Sequence, residues 1–387
     1  DIDMELYKKR YIIKFEKCLE KVTYTNKIQR KDFKEEGIYP IISQEKEYIN
    51  GYWDNEADLF KVESPITIFG DHTQVLKYVD FDFVLGADGV KILKPKKNID
   101  PKYFYYFLQS VNLGSLGYAR HYRLLKEIKV TYPKQLSEQQ RIVSILDKCF
   151  AVIDKVKAHT EQNLKNAKEL FESYLEGVFE KKGDDWTEKT IKEITKVING
   201  YAFASTDFLS TNKVKSVKIT NVGVKKFIEE SDNCLPEKFK DTLKDFQVRK
   251  GDIVIALTRT IISTGLKVAV IPASYDGALL NQRVAALVSD ERLINQNFLY
   301  FYLTTNGVAK YVLNHVNTLM QPNLSINDLK NMPISFPSLK DQKTIVFKLD
   351  ALRAETQKLE AVYQKKIDNL EELKNSILKK AFRGELT

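Results

Sequence analysis

The chain is 387 residues long and 43% apolar, with 21 Phe and 20 Tyr against 16 Gly and 10 Pro. At roughly 100–200 residues per domain this allows two to four domains with cores of their own, and it excludes collagen-like, low-complexity and mostly disordered chains. Three scattered cysteines (Cys18, Cys149, Cys234) without a CxxC pair cannot make a disulfide framework or a zinc knuckle and point to a reducing cytosol.

No apolar run reaches the ~18 residues of a membrane span, and the first ten residues are charged rather than signal-like. A soluble, cytoplasmic protein is expected, and a first residue other than Met suggests that some N-terminal sequence is missing. The net charge is +9. Residues 1–134 carry 23 basic and 20 acidic side chains, and residues 184–337 carry 19 and 16. A modest positive excess shared by two blocks favours polyanions such as DNA, although ordinary solubility charge would look the same.

In chain order, the first globular block (residues 1–134) contains a short β-rich run, Pro65–Gly70, an aromatic stretch from Asn98 to Leu108, and an extended segment ending at Pro133. Residues 135–183 read as a long helix, without Pro and with apolar residues recurring at three and four. The second block (184–337) repeats the pattern, with a β-rich run at Asp252–Leu257, a stretch from Leu293 to Leu303 and an extended end at Pro337. Residues 338–387 form a second long helix. At about 1.5 Å per residue, a forty-five-residue helix spans roughly 65 Å, the length of a spacer.

The two halves are copies. Leu136–Asp147 matches Leu339–Asp350 at an offset of 203, and the register holds through Leu164 with Ile367 and Phe179 with Phe382. Asn98–Leu108 matches Leu293–Leu303 at an offset of 195. The helices show heptad-like seams, Leu146 to Tyr174 and Leu349 to Ile377, each interrupted at an equivalent place by Asn163 and Lys366. Matching polar interruptions suit two helices paired with each other, and a chain that passes from block to helix twice closes most simply if they run antiparallel, with Val156 near Leu359 at the crossing. The expected fold class is α+β: two similar mixed α/β recognition domains separated by two long helices that form an antiparallel coiled coil.

No catalytic constellation is present. There is no GxxxxGK[ST], GxGxxG, GxSxG or HExxH, no Asn- or Asp-Pro-Pro-aromatic tetrapeptide, and the four His stand far apart. Asp241, Asp245, Asp252 and Lys250 are locally dense, but they read more simply as a loop and turn leading into a strand at Ile253.

Four stretches resemble the specificity subunits of type I restriction-modification systems. They are Leu136-Ser-Glu-Gln-Gln-Arg-Ile142 with its helix, Lys250-Gly-Asp-Ile-Val254 with Arg259 downstream, Asn281-Gln-Arg283, and Gln321-Pro-Asn-Leu-Ser325 leading to Ile334-Ser-Phe-Pro337. Asn199-Gly-Tyr-Ala-Phe203 is similar to the family's opening, and the first block departs more from the pattern.

The resemblance implies a non-catalytic subunit with two target recognition domains reading a bipartite double-stranded DNA. Methyltransferase subunits, two of them, would dock on the conserved regions and carry S-adenosylmethionine, and restriction/motor subunits would cleave. This chain itself would hold no cofactor or metal. The rival reading is a coiled-coil adaptor whose globular ends bind proteins.

Base readout is expected from loops after the β-rich runs, since Arg suits guanine and Asn or Gln suits adenine. The candidates in the second block are Thr258, Arg259, Asn281, Gln282, Arg283, Gln321 and Asn323. Those in the first are Ser43, Gln44, His72, Thr73, Gln74, Arg120, His121 and Arg123. Tyr201 and Phe203 are expected to pack the domain rather than stack on bases.

Overall fold

The computed structural model describes residues 10–385 except 87–88, 115, 118, 232–233 and 317–321. It divides into two units, residues 1–162 with 363–387 (unit 1) and residues 163–362 (unit 2), so each takes part of both long helices.

Unit 1 runs through strands β1 (Arg10–Lys14), β2 (Tyr39–Ile42), β3 (Ile66–Gly70), β4 (Leu76–Val79), β5 (Phe83–Gly86) and β6 (Val90–Leu93). Helices α1 (Pro101–Ser110) and α2 (Tyr122–Glu127), strand β7 (Lys129–Pro133) and long helix α3 (Leu136–Glu180) follow. In unit 2 come β8 (Thr187–Thr190), β9 (Thr195–Asn199), β10 (Val214–Val217), β11 (Ile253–Ala256), β12 (Val268–Val270), β13 (Leu279–Leu280) and β14 (Val284–Ser289). They are followed by α4 (Gln296–Leu303), α5 (Asn306–His315), α6 (Ile326–Asn331), β15 (Pro333–Phe336) and long helix α7 (Leu339–Arg383).

The strand pairing is duplicated. β3 lies antiparallel between β4 and β6, as β11 does between β12 and β14. β5 is parallel to β2 as β13 is to β10, and β1 pairs antiparallel with β7 as β8 does with β15. The β-rich runs lack polar alternation because both their faces are covered. Ile253 and Ile255 pack into the core that contains Phe298 and Phe301 of α4, while Val254 and Ala256 enter a second core with Val217, Tyr275 and Leu280.

The repeated aromatic stretch is a capped helix in both units. Asp100 accepts from the N–H groups of Lys102 and Tyr103, with Pro101 in the first turn, and Asn295 accepts from Phe298 N–H at 3.1 Å. Both arrangements satisfy amides that a helix start leaves without partners.

Each long helix is fastened to its unit by a buried glutamine at the same place in the repeat. Gln139 and Gln342 are both fully buried. Gln139 accepts from Asp100 N–H (2.8 Å) and donates to the carbonyls of Asn98 (3.1 Å) and Pro133 (2.9 Å). Gln342 accepts from Asn295 N–H (2.7 Å) and donates to Leu293 (3.1 Å) and Pro337 (2.9 Å).

The helices pair antiparallel. In unit 1 Asp154 meets Lys374 and Lys157 meets Glu371, so one number rises as the other falls. In unit 2 Leu175 and Phe179 share a core with Val346 and Leu349. This register sets position 156 opposite position 372, which corrects the expected crossing at Val156 and Leu359.

The seam is also corrected. Asn163 and Lys366 are exposed, and the buried stripe steps from Thr160 to Leu164, Ala167, Phe171 and Leu175, leaving Leu170 and Tyr174 outside. An α-helix has 3.6 residues per turn, so a strict 3.5-residue seam drifts by about 20° per heptad, and an extra step of four restores the facing stripe.

Candidate nucleic-acid interface

In unit 2, Ala256 of β11 faces Val284 of β14, Asn199 of β9 faces Ala285 of β14, and Ile255 of β11 faces Val268 of β12. All three pairs are antiparallel, so the ends of β9 and β11 and the starts of β12 and β14 share one edge of the sheet.

Backbone hydrogen bonds gather the candidate loops there. Leu257 N–H donates to Arg283 O (2.9 Å), Leu324 N–H to Leu257 O (2.9 Å), Thr260 N–H to Pro322 O (3.1 Å) and Gln282 N–H to Tyr201 O (2.9 Å). Thr258 and Asn323 form a β-bridge, as do Tyr201 and Asn281. The edge therefore brings together Thr258, Arg259, Asn281, Gln282, Arg283 and Asn323, which come from three separate stretches of sequence. Gln321 lies outside the described residues.

Arg259, Gln282, Arg283 and Asn323 are exposed, and Thr258 and Asn281 are half-buried. Neither arginine makes an ion pair among the described residues. Arg259 sits at φ +49°, a left-handed conformation that side chains other than glycine adopt at a cost.

Sequence reasoning passed over two residues of this edge. Lys267 follows Leu266, beside Arg259; burial, then repulsion from Arg259, holds its amine below the ordinary lysine value. Its Nζ donates to Ile219 O at 2.6 Å. Gly200 lies against the Asn281 carbonyl, where a Cβ would come within 2.0 Å of the oxygen. Its place in the Asn-Gly-Tyr-Ala-Phe stretch was a signal; nothing in the sequence marked Lys267. Tyr201 packs on Phe203 and Phe246 with centroids 5.0 and 5.2 Å away, and the residue is also 39% exposed.

Unit 1 repeats the scaffold with other side chains. Asp71 N–H donates to Gly89 O (2.7 Å) where Leu257 donates to Arg283, and His121 N–H donates to Asp71 O (2.7 Å) where Leu324 donates to Leu257. Arg120 thus takes the place of Asn323. Arg120, Arg123 and Thr73 are exposed and His72 is half-buried.

Gln44 accepts from His72 N–H (3.2 Å), and its backbone carbonyl accepts from the Thr73 hydroxyl (2.5 Å). Gln74, at φ +59°, donates to Gly114 O at 2.9 Å.

Two of the expected readers are buried. His121 is 1% exposed, its Nδ1–H directed at Asp71 O (3.1 Å) while Nε2 accepts from Leu116 N–H (3.1 Å). Ser43 is 2% exposed, and its hydroxyl accepts from Glu45 N–H. Both brace loops from beneath, with their polar atoms already occupied. Asp71, also buried, anchors the start of α2 by accepting from Tyr122 N–H at 2.7 Å.

The acidic run before β11 is a turn. Asp252 accepts from Arg249 N–H at 2.7 Å, Gly251 takes φ +96°, and Asp276 accepts from Lys250 N–H at 2.9 Å. Among the described residues no group of three His, Cys, Asp or Glu is placed to hold a metal ion, and no helix is long and apolar enough to cross a membrane. The three cysteines are free.

A duplicated α/β scaffold that presents differing polar side chains on equivalent sheet edges, mounted on paired helices, defines a recognition protein. The family described as type I restriction modification DNA specificity domain matches residues 19–166 and again 183–371, and the chain belongs to it.

The MjaVIII type I restriction enzyme specificity subunit of Methanocaldococcus jannaschii is 26% identical over 321 residues, which cover 78% of this chain and 74% of that one. The EcoBI specificity subunit of Escherichia coli is 23% identical over 369 residues, covering 87% and 75%. Among solved structures, a chain from work on the assembly and conformational transition of the type I R-M system superposes with a TM-score of 0.72 at 16% identity, covering 98% of both chains. The crystal structure of the HsdS subunit from Thermoanaerobacter tengcongensis gives 0.50 at 16% identity, covering 98% and 97%. The protein is thus a specificity subunit of the type I restriction-modification kind, with a DNA-recognition role.

Proposed function

We propose that the chain reads a bipartite double-stranded DNA target, one half through each sheet edge, and that the paired helices set the spacing between the halves. The observation that carries this reading is the repeated hydrogen-bond scaffold with exchanged side chains. Leu257, Arg283, Asn323 and Leu324 of unit 2 stand where Asp71, Gly89, Arg120 and His121 stand in unit 1. A fixed frame with altered presented groups suits two readers of different sequence.

In unit 2 the readers are Arg259, Gln282, Arg283 and Asn323, with Thr258 and Asn281 beside them. In unit 1 they are His72, Thr73, Arg120 and Arg123, flanked by Gln44 and Gln74. Arginine pairs bidentately with guanine, and Asn or Gln with adenine.

The chain performs no catalysis in this reading. Two methyltransferase subunits dock along the helices, where Val152, Phe347 and Val362 stand 64%, 74% and 60% exposed, and they supply S-adenosylmethionine and the methylating site. Restriction/motor subunits join through that complex.

Methylome sequencing of a host carrying the chain with its methyltransferase tests the proposal. A split motif with adenine methylation on both halves is expected. A continuous motif, or no methylation dependent on this chain, refutes it.

A further inference from the structure

Unit 2 carries a second charged feature that base readout does not use. A cleft of about 620 Å³ is lined by Lys213, Lys215, Lys240, Lys244 and Arg249.

Three carboxylates, of Glu237, Asp241 and Asp276, share this lining, yet none lies within ion-pair distance of its lysines or Arg249 among the described residues. Asp276 is engaged by Lys250 N–H. Aromatic rings interleave with the cations: Lys215 Nζ stands 4.4 Å from the centroid of Tyr275, and the neighbouring Lys218 and Lys238 lie 3.5 and 5.2 Å from those of Phe208 and Phe239. Lys213, Lys240, Lys244 and Arg249 are exposed and make no ion pair among the described residues, an electrostatic footprint of the kind that phosphates neutralise.

The cleft adjoins a strand that leads to the reading edge. Gly277 and Ala278 line the cleft and lead directly into β13, and Asn281 of the reading edge follows the other end of that strand. At about 3.3 Å per strand residue, Ala278 and Asn281 are roughly 10 Å apart along the chain. Lys213 and Lys215 are two residues apart along the chain, about 6.6 Å where it is extended.

We propose that the cleft of Lys213, Lys215, Lys240, Lys244 and Arg249 grips backbone phosphates of the duplex whose bases the neighbouring edge reads, without regard to sequence. This rests on the DNA-reading proposal above. It assigns a separate set of residues to affinity, while those of the edge carry discrimination.

The test is the salt dependence of binding of the full chain to a fluorescein-labelled 30-base-pair duplex of arbitrary sequence. Each phosphate contact contributes about 0.9 to the slope of log K against log salt. Lys213→Gln, Lys240→Gln and Lys244→Gln together should flatten the slope by about 2.7. A control of equal charge change on the long helices, Lys155→Gln, Lys168→Gln and Lys348→Gln, should leave it within about 1 of the wild type.

If the cleft variant keeps the wild-type slope, or changes no more than the control, the cleft does not hold phosphates. The DNA-reading proposal then still stands on its own evidence. If the wild-type chain shows no salt-dependent binding to any duplex, the underlying reading fails as well.

Discussion

Replacing Gln342 by leucine tests how the long helices are joined to the domains they carry. The side chain is fully buried and makes three hydrogen bonds of 2.7 to 3.1 Å to backbone groups of Asn295, Leu293 and Pro337. Leucine has nearly the same size and none of the polar atoms, so one amide and two carbonyls lose their partner. A buried polar group left unsatisfied costs about 1–3 kcal/mol, partly offset by the apolar gain, which leaves a net loss of about 3 kcal/mol. For a unit near 200 residues that corresponds to a fall of roughly 6–12 °C in Tm.

The chain has two tryptophans, Trp53 in unit 1 and Trp186 in unit 2, so Trp53→Phe and Trp186→Phe backgrounds report the units separately in urea. Gln342→Leu should shift the transition reported by Trp186, and Gln139→Leu the one reported by Trp53. A loss below about 1 kcal/mol in both, or one equalled by the exposed change Lys343→Leu, would refute the lock.

Lys77 is 3% exposed, with its amine donating to the Glu47 and Tyr48 carbonyls and to Asn50, and burial pushes it down to about 8 from 10.5. The unfolded chain then binds more protons between those values, so stability should rise as pH increases from about 8 towards 10.5, and Lys77→Met should remove this rise in pH-dependent urea melts. Gly200→Ala forces a Cβ to within 2.0 Å of Asn281 O; calorimetry should show a loss of about 1–3 kcal/mol, together with weakened discrimination in duplex competition. Arg259→Gly relieves a left-handed residue, worth about 1 kcal/mol, while deleting a reader, so the variant should be as stable as the wild type or more so and yet discriminate less. A stability loss there would show that the Arg259 side chain braces the loop.

The long helices and the duplicated blocks were legible because repetition at offsets of 203 and 195 is a sequence property independent of folding. Even Gln139 and Gln342 stood at matching positions, although nothing in the pattern showed that they are buried. The seam register was not legible beyond Thr160, since alternating steps of three and four fit the sequence while the helix itself turns every 3.6 residues. Arg259 and Arg283 were recognisable as polar loop residues, but their meeting depends on the antiparallel ladder between β11 and β14. Ser43 and His121 have the chemistry of base readers, and only the closure of loops over them turns them inward. Lys267 carried no signal because its role follows from standing beside Arg259 across a hairpin.

The central claim is that each sheet edge reads its own half of the target. Its most direct measurement is methylation profiling of the assembled complex carrying Arg259→Ala or Gln282→Ala, since a direct base contact is worth about 1–3 kcal/mol of discrimination. The sequence requirement should relax at one or two positions in one half of the motif and stay unchanged in the other half. Relaxation in both halves from either single change would contradict the account.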